Sequence, residues 1–321
     1  MREPAFWSAG PEHPAARALA PVAGFYGALT ARRMDRPGLA APCPVICLGN
    51  FTLGGAGKTP AARAVAALLR EGGLRPAFLS RGYGGRLRGP VRVEPGRHGA
   101  DAVGDEPLLL ARDGPVVVSR DRPAGAALCR EAGADVIVMD DGLQNPSLAK
   151  NLALAVVDGG AGHGNGRVVP AGPLRAPAHR QWPHVAGVIL IGEGEPGERV
   201  AAEAAGRGLP VHRGRLVPDG GGFAGRRVLA FAGIGRPGKF FDTLRETGAR
   251  LAGTRAFPDH HPFREADLAA LRREADRLGA TLVTTEKDAV RLPPGFAVAL
   301  PVRLVLARPE ALAAQVRGVL G

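Results

Sequence analysis

The sequence predicts an α/β fold: a P-loop NTPase-like core with a mainly parallel sheet, followed by a smaller C-terminal α/β domain. Three observations carry this reading. Apolar runs of strand length, at 45–48, 116–118, 136–139, 152–157, 188–191, 227–231 and 281–285, alternate with helix-like runs. A glycine-rich turn joins the first of these strands to an alanine-rich helical stretch at 61–70. A second glycine-rich stretch at 219–225 reads as a connection between two units. With 321 residues, 45% of them hydrophobic, the chain can bury two cores. The expected division is an N-terminal segment at 1–35, a core at 36–222 and a smaller domain at 223–321.

The N-terminal segment sets Phe6, Trp7, Leu19, Val22, Phe25, Tyr26 and Leu29 ahead of Arg32, Arg33 and Arg36. Apolar and aromatic side chains beside a basic cluster suit a membrane interface. A helix packed on the domain and broken at Pro21 would produce the same pattern. No run approaches the ~20 apolar residues of a membrane span, and no signal peptide is recognisable.

The strand at 45–48 runs into Thr52, Leu53, Gly54, Gly55, Ala56, Gly57, Lys58 and Thr59. Glycines there permit positive φ and turn successive N–H groups inward, forming an anion cradle at the start of a helix. Lys58 then reaches the β- and γ-phosphates of ATP, and the Thr59 hydroxyl binds Mg²⁺. The common pattern has glycine where Thr52 stands. A related branch has lysine at the position of Leu53.

Further along, Ser80-Arg81-Gly82-Tyr83 forms one glycine-rich loop carrying an arginine, and Pro170-Ala171-Gly172-Pro173-Leu174-Arg175 forms another. Either arginine could clamp a phosphate or neutralise developing charge. Between them, Gly104-Asp105-Glu106-Pro107 is either a helix start or a base and metal-binding pair. The strand at 136–139 ends in Asp140 and Asp141, where carboxylates beside a phosphate loop hold Mg²⁺. Gly233-Ile234-Gly235-Arg236-Pro237-Gly238 matches a dinucleotide fingerprint, but Pro237 lies within it and no acidic residue closes a second strand. Asp259-His260-His261 offers a metal site, a general base or a turn. Adjacent histidines point apart in extended chain, so one of them is expected to face chemistry. Glu286-Lys287-Asp288 reads as a strand-to-helix corner.

Formal net charge is +12 and points to an anionic partner. Arginine supplies nearly all of it, because only Lys58, Lys150, Lys239 and Lys287 are lysines; Lys150 and Lys239 are expected on the solvated surface. Cys43, Cys47 and Cys129 form no motif and imply a reduced, cytosol-facing protein.

Taken in order, the motifs at 49–60, 80–85, 104–107, 140–144, 170–175, 259–261 and 285–288 resemble the tetraacyldisaccharide 4′-kinase family of lipid A synthesis, and they cover nearly the whole chain. The resemblance implies transfer of the ATP γ-phosphate to the 4′-hydroxyl of a tetraacylated glucosamine disaccharide 1-phosphate. It implies peripheral work at the cytoplasmic face of a bacterial inner membrane, on an anionic glycolipid, with no nucleic acid and no obligate protein partner. It makes Asp105 the base with His260 as its partner and Glu106, Asp140 and Asp141 the magnesium carboxylates. Arg175 becomes a neutraliser of charge near the γ-phosphate or substrate. Asn165 and Arg167 become disaccharide contacts, and Arg81 a substrate contact. Similar enzymes usually have histidine where this chain has Asn145, leaving that position a binding role at most.

Two other readings use parts of the same pattern. One is a P-loop NTPase switch acting on a protein or metal-cofactor partner. The other is a basic nucleic-acid-binding ATPase, which the 5% aromatic content and the lack of interleaved aromatics disfavour.

Overall fold

The computed structural model describes residues 4–320. Among these, the strands are β1 (Val45–Gly49), β2 (Pro76–Ser80), β3 (Val91–Arg92), β4 (Val116–Val118), β5 (Val136–Asp140), β6 (Leu152–Asp158), β7 (Gly187–Ile191), β8 (Val211–Pro218), β9 (Arg227–Ala232), β10 (Arg250–Ala256), β11 (Thr281–Thr285), β12 (Val298–Leu300) and β13 (Val302–Leu306). They form a nine-stranded sheet in the order β13-β8-β7-β6-β1-β5-β2-β4-β3 and a four-stranded sheet in the order β10-β9-β11-β12. The large sheet is parallel except at its edges, where β13 and β3 run antiparallel to β8 and β4. The small sheet is parallel throughout.

Every residue of β1, β2, β5, β6 and β7 is buried. Helices cover both faces of a parallel sheet, so its strands read as continuous apolar runs instead of alternating ones. Along β1 the side chains divide by pleat: Val45 and Cys47 join the core on one face, Ile46 and Leu48 that on the other. The helix Lys58–Glu71 lays Ala61, Ala62, Val65, Ala66 and Leu69 on the second face. The small alanines let its axis approach the central strands. On the first face the helix Arg122–Glu131 comes as close through Gly125, where a Cβ would meet Leu79 at 2.6 Å.

The seven apolar runs read from sequence all become strands. Those not anticipated have identifiable reasons. β2 begins at Pro76, tolerated only because it is the first residue of its strand. β8 and β10 carry several exposed arginines and lack a continuous apolar run. The expected division at 223–321 needs one correction. β13 pairs with β8, and Leu304 with Leu312 and Val316 of the helix Pro309–Arg317 joins the large-sheet core. The small sheet is therefore inserted between two strands of the large one.

At the N-terminus, the helix Ala20–Met34 takes Pro21 in its first turn, where a missing N–H costs nothing. It buries Ala23, Gly27, Ala31 and Met34, while Val22, Phe25, Tyr26 and Leu29 face outward, Phe25 at 77% exposure. Large apolar residues lie on the outer face and small ones on the inner, the reverse of an ordinary surface helix. No helix among the described residues is long and apolar enough to cross a membrane.

The two sheets are joined by charge. Glu286, after β11, receives Arg63 at 3.2 Å, Arg112 at 3.3 Å and the Val302 N–H at 3.2 Å. Arg63 also reaches Asp113 at 2.6 Å. On another side, Asp158 at the end of β6 meets Arg236 at 3.1 Å and Lys239 at 2.5 Å. Lys239 is exposed, as its sequence context implied, and reaches Asp158 from that surface position. Lys150 instead is part-buried and donates to the Asn145 carbonyl at 2.7 Å. Glu286→Ala would strand Arg63 beside Asp113 and leave Arg112 half in solvent. Neither cation would be fully buried, so the expected loss is about 1–3 kcal/mol in urea-unfolding stability.

Candidate active site

The cradle forms as the spacing requires. Gly57, at φ 87°, is the N-cap of the helix that begins at Lys58, so its free N–H groups face the loop. Gly54 also takes positive φ, at 104°. At Gly57 a Cβ would strike Ile191 at 2.8 Å, so this position is closed by both space and conformation. The loop is braced from the 170–175 segment: Thr52 bridges Leu174, the Leu53 N–H donates to the Pro173 carbonyl at 2.7 Å, and Arg175 Nε donates to the Thr52 carbonyl at 2.9 Å. Lys58 Nζ donates to Asn50 Oδ1 at 3.3 Å and lies 3.7 Å from Asp141. Beneath the loop, Gln144 donates to the Asn50 carbonyl and to Gln181, both at 2.8 Å, and Gln181 donates to the Phe51 and Ala176 carbonyls.

β5 delivers Asp140 and Asp141 beside this cradle, and their surroundings differ. Asp141, at φ 57°, is held by both Arg175 nitrogens at 2.9 and 3.0 Å. Burial alone would raise its pKa, but Lys58 and Arg175 outweigh that and lower it to about 2. Asp140 is buried with Oδ1 unpartnered. Burial, then Glu106 and Asp141, push its pKa up to about 7 against the pull of Lys58 and Arg122. An orphaned buried carboxylate oxygen next to a phosphate cradle is a donor suited to a hard divalent cation. Among the described residues no three His, Cys, Asp or Glu side chains converge as a metal cage. Magnesium binds instead through one or two carboxylates, phosphate oxygens and water. Asp140 and Thr59 fit that pattern, whereas Asp141 is paired with arginine and Glu106 with Lys287.

Asp105 opens the helix Asp105–Leu110 and is 3% exposed. Its Oδ1 accepts the Glu106 N–H at 3.1 Å, and its Oδ2 lies 3.1 Å from His260 Nδ1 and 3.6 Å from Arg291 Nε. Burial works to raise its pKa, and His260, Lys287 and Arg291 together lower it below the ordinary value. His260 comes from the loop after β10 in a left-handed conformation, φ 57°, with its N–H on the Gly233 carbonyl at 3.0 Å. Tyr83 meets its ring edge-on at 5.2 Å. His261 turns away to Asp267 at 3.0 Å and stacks on Phe257. Adjacent histidines therefore serve different sites, as the spacing implied. The carboxylate that binds His260 is Asp105; Asp259 is 3.9 Å off.

Four positions singled out in the sequence lie outside this cluster. The Asn165 amide donates to the Phe6 and Ala171 carbonyls at 3.2 and 2.9 Å and accepts the Arg167 N–H at 3.1 Å. Arg167 donates to the Pro11 carbonyl at 2.7 Å and to Glu12. In this structure both fasten the N-terminal segment, and the Asn165 amide has no hydrogen left for a sugar. Asn145 caps its own turn, accepting the Ser147 N–H and hydroxyl at 2.9 and 2.7 Å. Arg81 stands exposed at the end of β2, near enough to Arg122 to disfavour that residue's charge.

Sequence reasoning missed Asn50, Arg122, Gln181 and Arg291. Arg122 is 1% exposed, with its guanidinium on the Ser119 and Asp141 carbonyls at 3.3 and 3.5 Å. In a chain where arginine is the ordinary cation, no residue-type signal marked these two arginines. The glycine-rich turn at 233–238 binds no dinucleotide phosphate in this arrangement: the Gly233 N–H donates to Asp288 at 3.0 Å, and Arg236 and Lys239 grip Asp158.

A strand-loop-helix phosphate cradle, a strand-end carboxylate pair and a buried carboxylate–imidazole pair define a P-loop phosphotransferase. Comparison narrows the class. Residues 15–321 match the family model of tetraacyldisaccharide-1-P 4′-kinases, and the chain belongs to that family. A tetraacyldisaccharide 4′-kinase of Methylobacterium radiotolerans is 69% identical, with 100% of this chain and 99% of the relative covered. The one of Nitrobacter winogradskyi is 56% identical over 91% of this chain and 87% of its own. The crystal structure of LpxK from Aquifex aeolicus, in complex with ATP, superposes with a TM-score of 0.76 at 26% identity, covering 95% of this chain and 99% of that one.

Asp140 yields a stability prediction with a definite sign. Its carboxyl titrates near 3.8 when unfolded and at about 7 when folded. Between these the folded state keeps a proton that the unfolded state has lost, so stability falls as pH rises. Asp140→Asn should raise the melting midpoint of the metal-free protein at pH 8, by about 2 °C per kcal/mol recovered, and leave it nearly unchanged at pH 4. Equal midpoints at pH 8 would remove the case for an uncompensated charge.

Proposed function

We propose that this protein transfers the γ-phosphate of ATP to the 4′-hydroxyl of a tetraacyldisaccharide 1-phosphate in lipid A synthesis. The observation that carries this reading is Asp105, buried with its pKa lowered and 3.1 Å from His260, in the segment whose next residue, Glu106, acts electrostatically on Asp140 beside the cradle. A switch that merely positions water has no need of such a pair, and a hydroxyl acceptor does. The family and its named relatives support the choice of acceptor.

The cradle amides and Lys58 bind the β- and γ-phosphates. Asp105 accepts the proton of the 4′-hydroxyl, whose oxygen forms a new bond to the γ-phosphorus. The bond from that phosphorus to the β,γ-bridging oxygen breaks, and its electron pair leaves on ADP. Asp140 and the Thr59 hydroxyl would hold Mg²⁺, which would neutralise charge on the phosphates. Arg175 sits where it can follow charge from Asp141 onto the transferred group. Closure of the small sheet over the cradle would exclude water and limit wasteful hydrolysis.

The acyl chains place the substrate in a bilayer, and the outward Val22, Phe25, Tyr26 and Leu29 with Arg32 and Arg33 in the last turn fit a peripheral contact with the cytoplasmic face of the inner membrane.

Two measurements test these readings. Labelled phosphate from γ-³²P-ATP should appear in detergent-dispersed tetraacyldisaccharide 1-phosphate. Asp105→Ala should reduce that transfer about 10²- to 10⁴-fold with ATP binding retained, and Lys58→Ala should impair both. ATP turnover without labelled lipid would instead favour the switch. For the membrane contact, Phe25→Ser with Leu29→Ser should cut co-sedimentation with anionic vesicles about tenfold or more, since each buried apolar side chain contributes ~1.5–3 kcal/mol. Undiminished binding would assign that face elsewhere.

A further inference from the structure

Asp105 needs a donor at His260 Nδ1, and nothing in an isolated imidazole guarantees one. A neutral ring carries a single N–H, and the partner of one nitrogen decides which nitrogen bears it. Here Nε2 is in hydrogen-bond contact with Lys287 Nζ at 3.2 Å, while Nδ1 lies 3.1 Å from Asp105 Oδ2, a buried oxygen that accepts no hydrogen bond in this arrangement. An ammonium has three donors and no acceptor. Contact with it is favourable only when Nε2 offers its lone pair, which leaves the proton on Nδ1. The competing acceptor for an Nε2–H is Asp259 Oδ1, at 3.9 Å and beyond hydrogen-bond range.

The ammonium is fixed before it meets the ring. Lys287 also donates to Glu106 Oε1 at 3.1 Å. It belongs to the short helix Glu286–Ala289, capped by the Thr285 hydroxyl on the Asp288 N–H at 3.0 Å. Glu286 on one side is gripped by Arg63 and Arg112, and Asp288 on the other, fully buried, accepts the Thr285 hydroxyl at 2.6 Å and the Gly233 N–H at 3.0 Å. Gly233 in turn accepts the His260 N–H. The backbone carrying the lysine and the backbone carrying the imidazole thus meet at one residue.

We infer that Lys287 is the positioning residue of the Asp105–His260 pair, its ammonium holding His260 in the Nδ1–H tautomer that puts a donor beside the unpartnered Asp105 Oδ2. The consequence for catalysis rests on the phosphotransfer reading above; the tautomer itself does not. The same contact to Glu106 makes the tautomer conditional on the small sheet's being seated against the helix of Asp105. Lysine at this corner is therefore part of the acceptor side of the reaction and not only a strut between the two sheets.

The test is the ¹⁵N spectrum of histidine-labelled full-length protein at neutral pH, with His260 assigned by its loss in His260→Asn. Wild type should show a protonated Nδ1 and a bare Nε2. Lys287→Met should shift His260 towards the Nε2–H form and lower kcat for lipid phosphorylation about 10- to 100-fold, with ATP affinity unchanged. Lys287→Arg, which also only donates, should restore the tautomer and much of kcat. An Nε2–H ring in wild type would overturn the inference, as would a Lys287→Met protein that loses kcat with the Nδ1–H tautomer intact. If Lys287→Met does not fold, the wild-type and Lys287→Arg spectra decide. Wild type that phosphorylates no lipid would refute the phosphotransfer reading and leave the tautomer question to the spectra.

Discussion

A buried carboxylate that stays ionised is the constraint around which this molecule is arranged. Asp105 lies in the large-sheet unit, and the cations that keep it charged, with the imidazole that orients it, come from the small-sheet unit. Neither sheet alone can satisfy it. Removing two charged groups from water is costly unless the geometry and the remaining hydrogen bonds are good, and here the extra bonds run through Gly233, Asp288 and Lys287. The same dependence applies at Glu286 and at Asp158, where acids of one unit meet cations of the other. The inserted small sheet is positioned largely by pairing of this kind.

A second contrast lies within the strand-end pair. Asp141 is compensated by Arg175 and Lys58, whereas Asp140, one residue before it, is left uncompensated. The difference follows from strand geometry: successive side chains leave β5 on opposite faces, and the left-handed turn at Asp141 aims it back at the braced loop. The unpartnered carboxylate costs stability, a local conflict of the kind expected at functional sites.

Much of this was legible in the sequence because the physics was local. Buried parallel strands announce themselves as apolar runs, and a glycine-rich turn before Lys58 and Thr59 has few alternatives once a strand precedes it and a helix follows. His260 lies beside Asp105, more than 150 positions away, and that pairing entered through the family resemblance alone. Such long-range pairs leave no trace in spacing. Arg122 and Arg291 were hidden by composition, since one buried arginine looks like any other among so many. Asn165 entered through the family resemblance alone, as a disaccharide contact; in the structure its amide closes a packing joint with Phe6. Half-exposed strands such as β10 escaped because alternation diluted with arginine falls below any apolar threshold.

The return of β13 to the large sheet has a consequence for how the protein is made. β8 pairs on one side with β7, and on the other it is covered by residues that emerge from the ribosome only after the entire small sheet has been synthesised. Until then the large sheet has a raw flank, its unpaired N–H and C=O groups open to any passing strand. The flank stays exposed while the insert is being made, so that interval is a window of vulnerability to misassembly during translation.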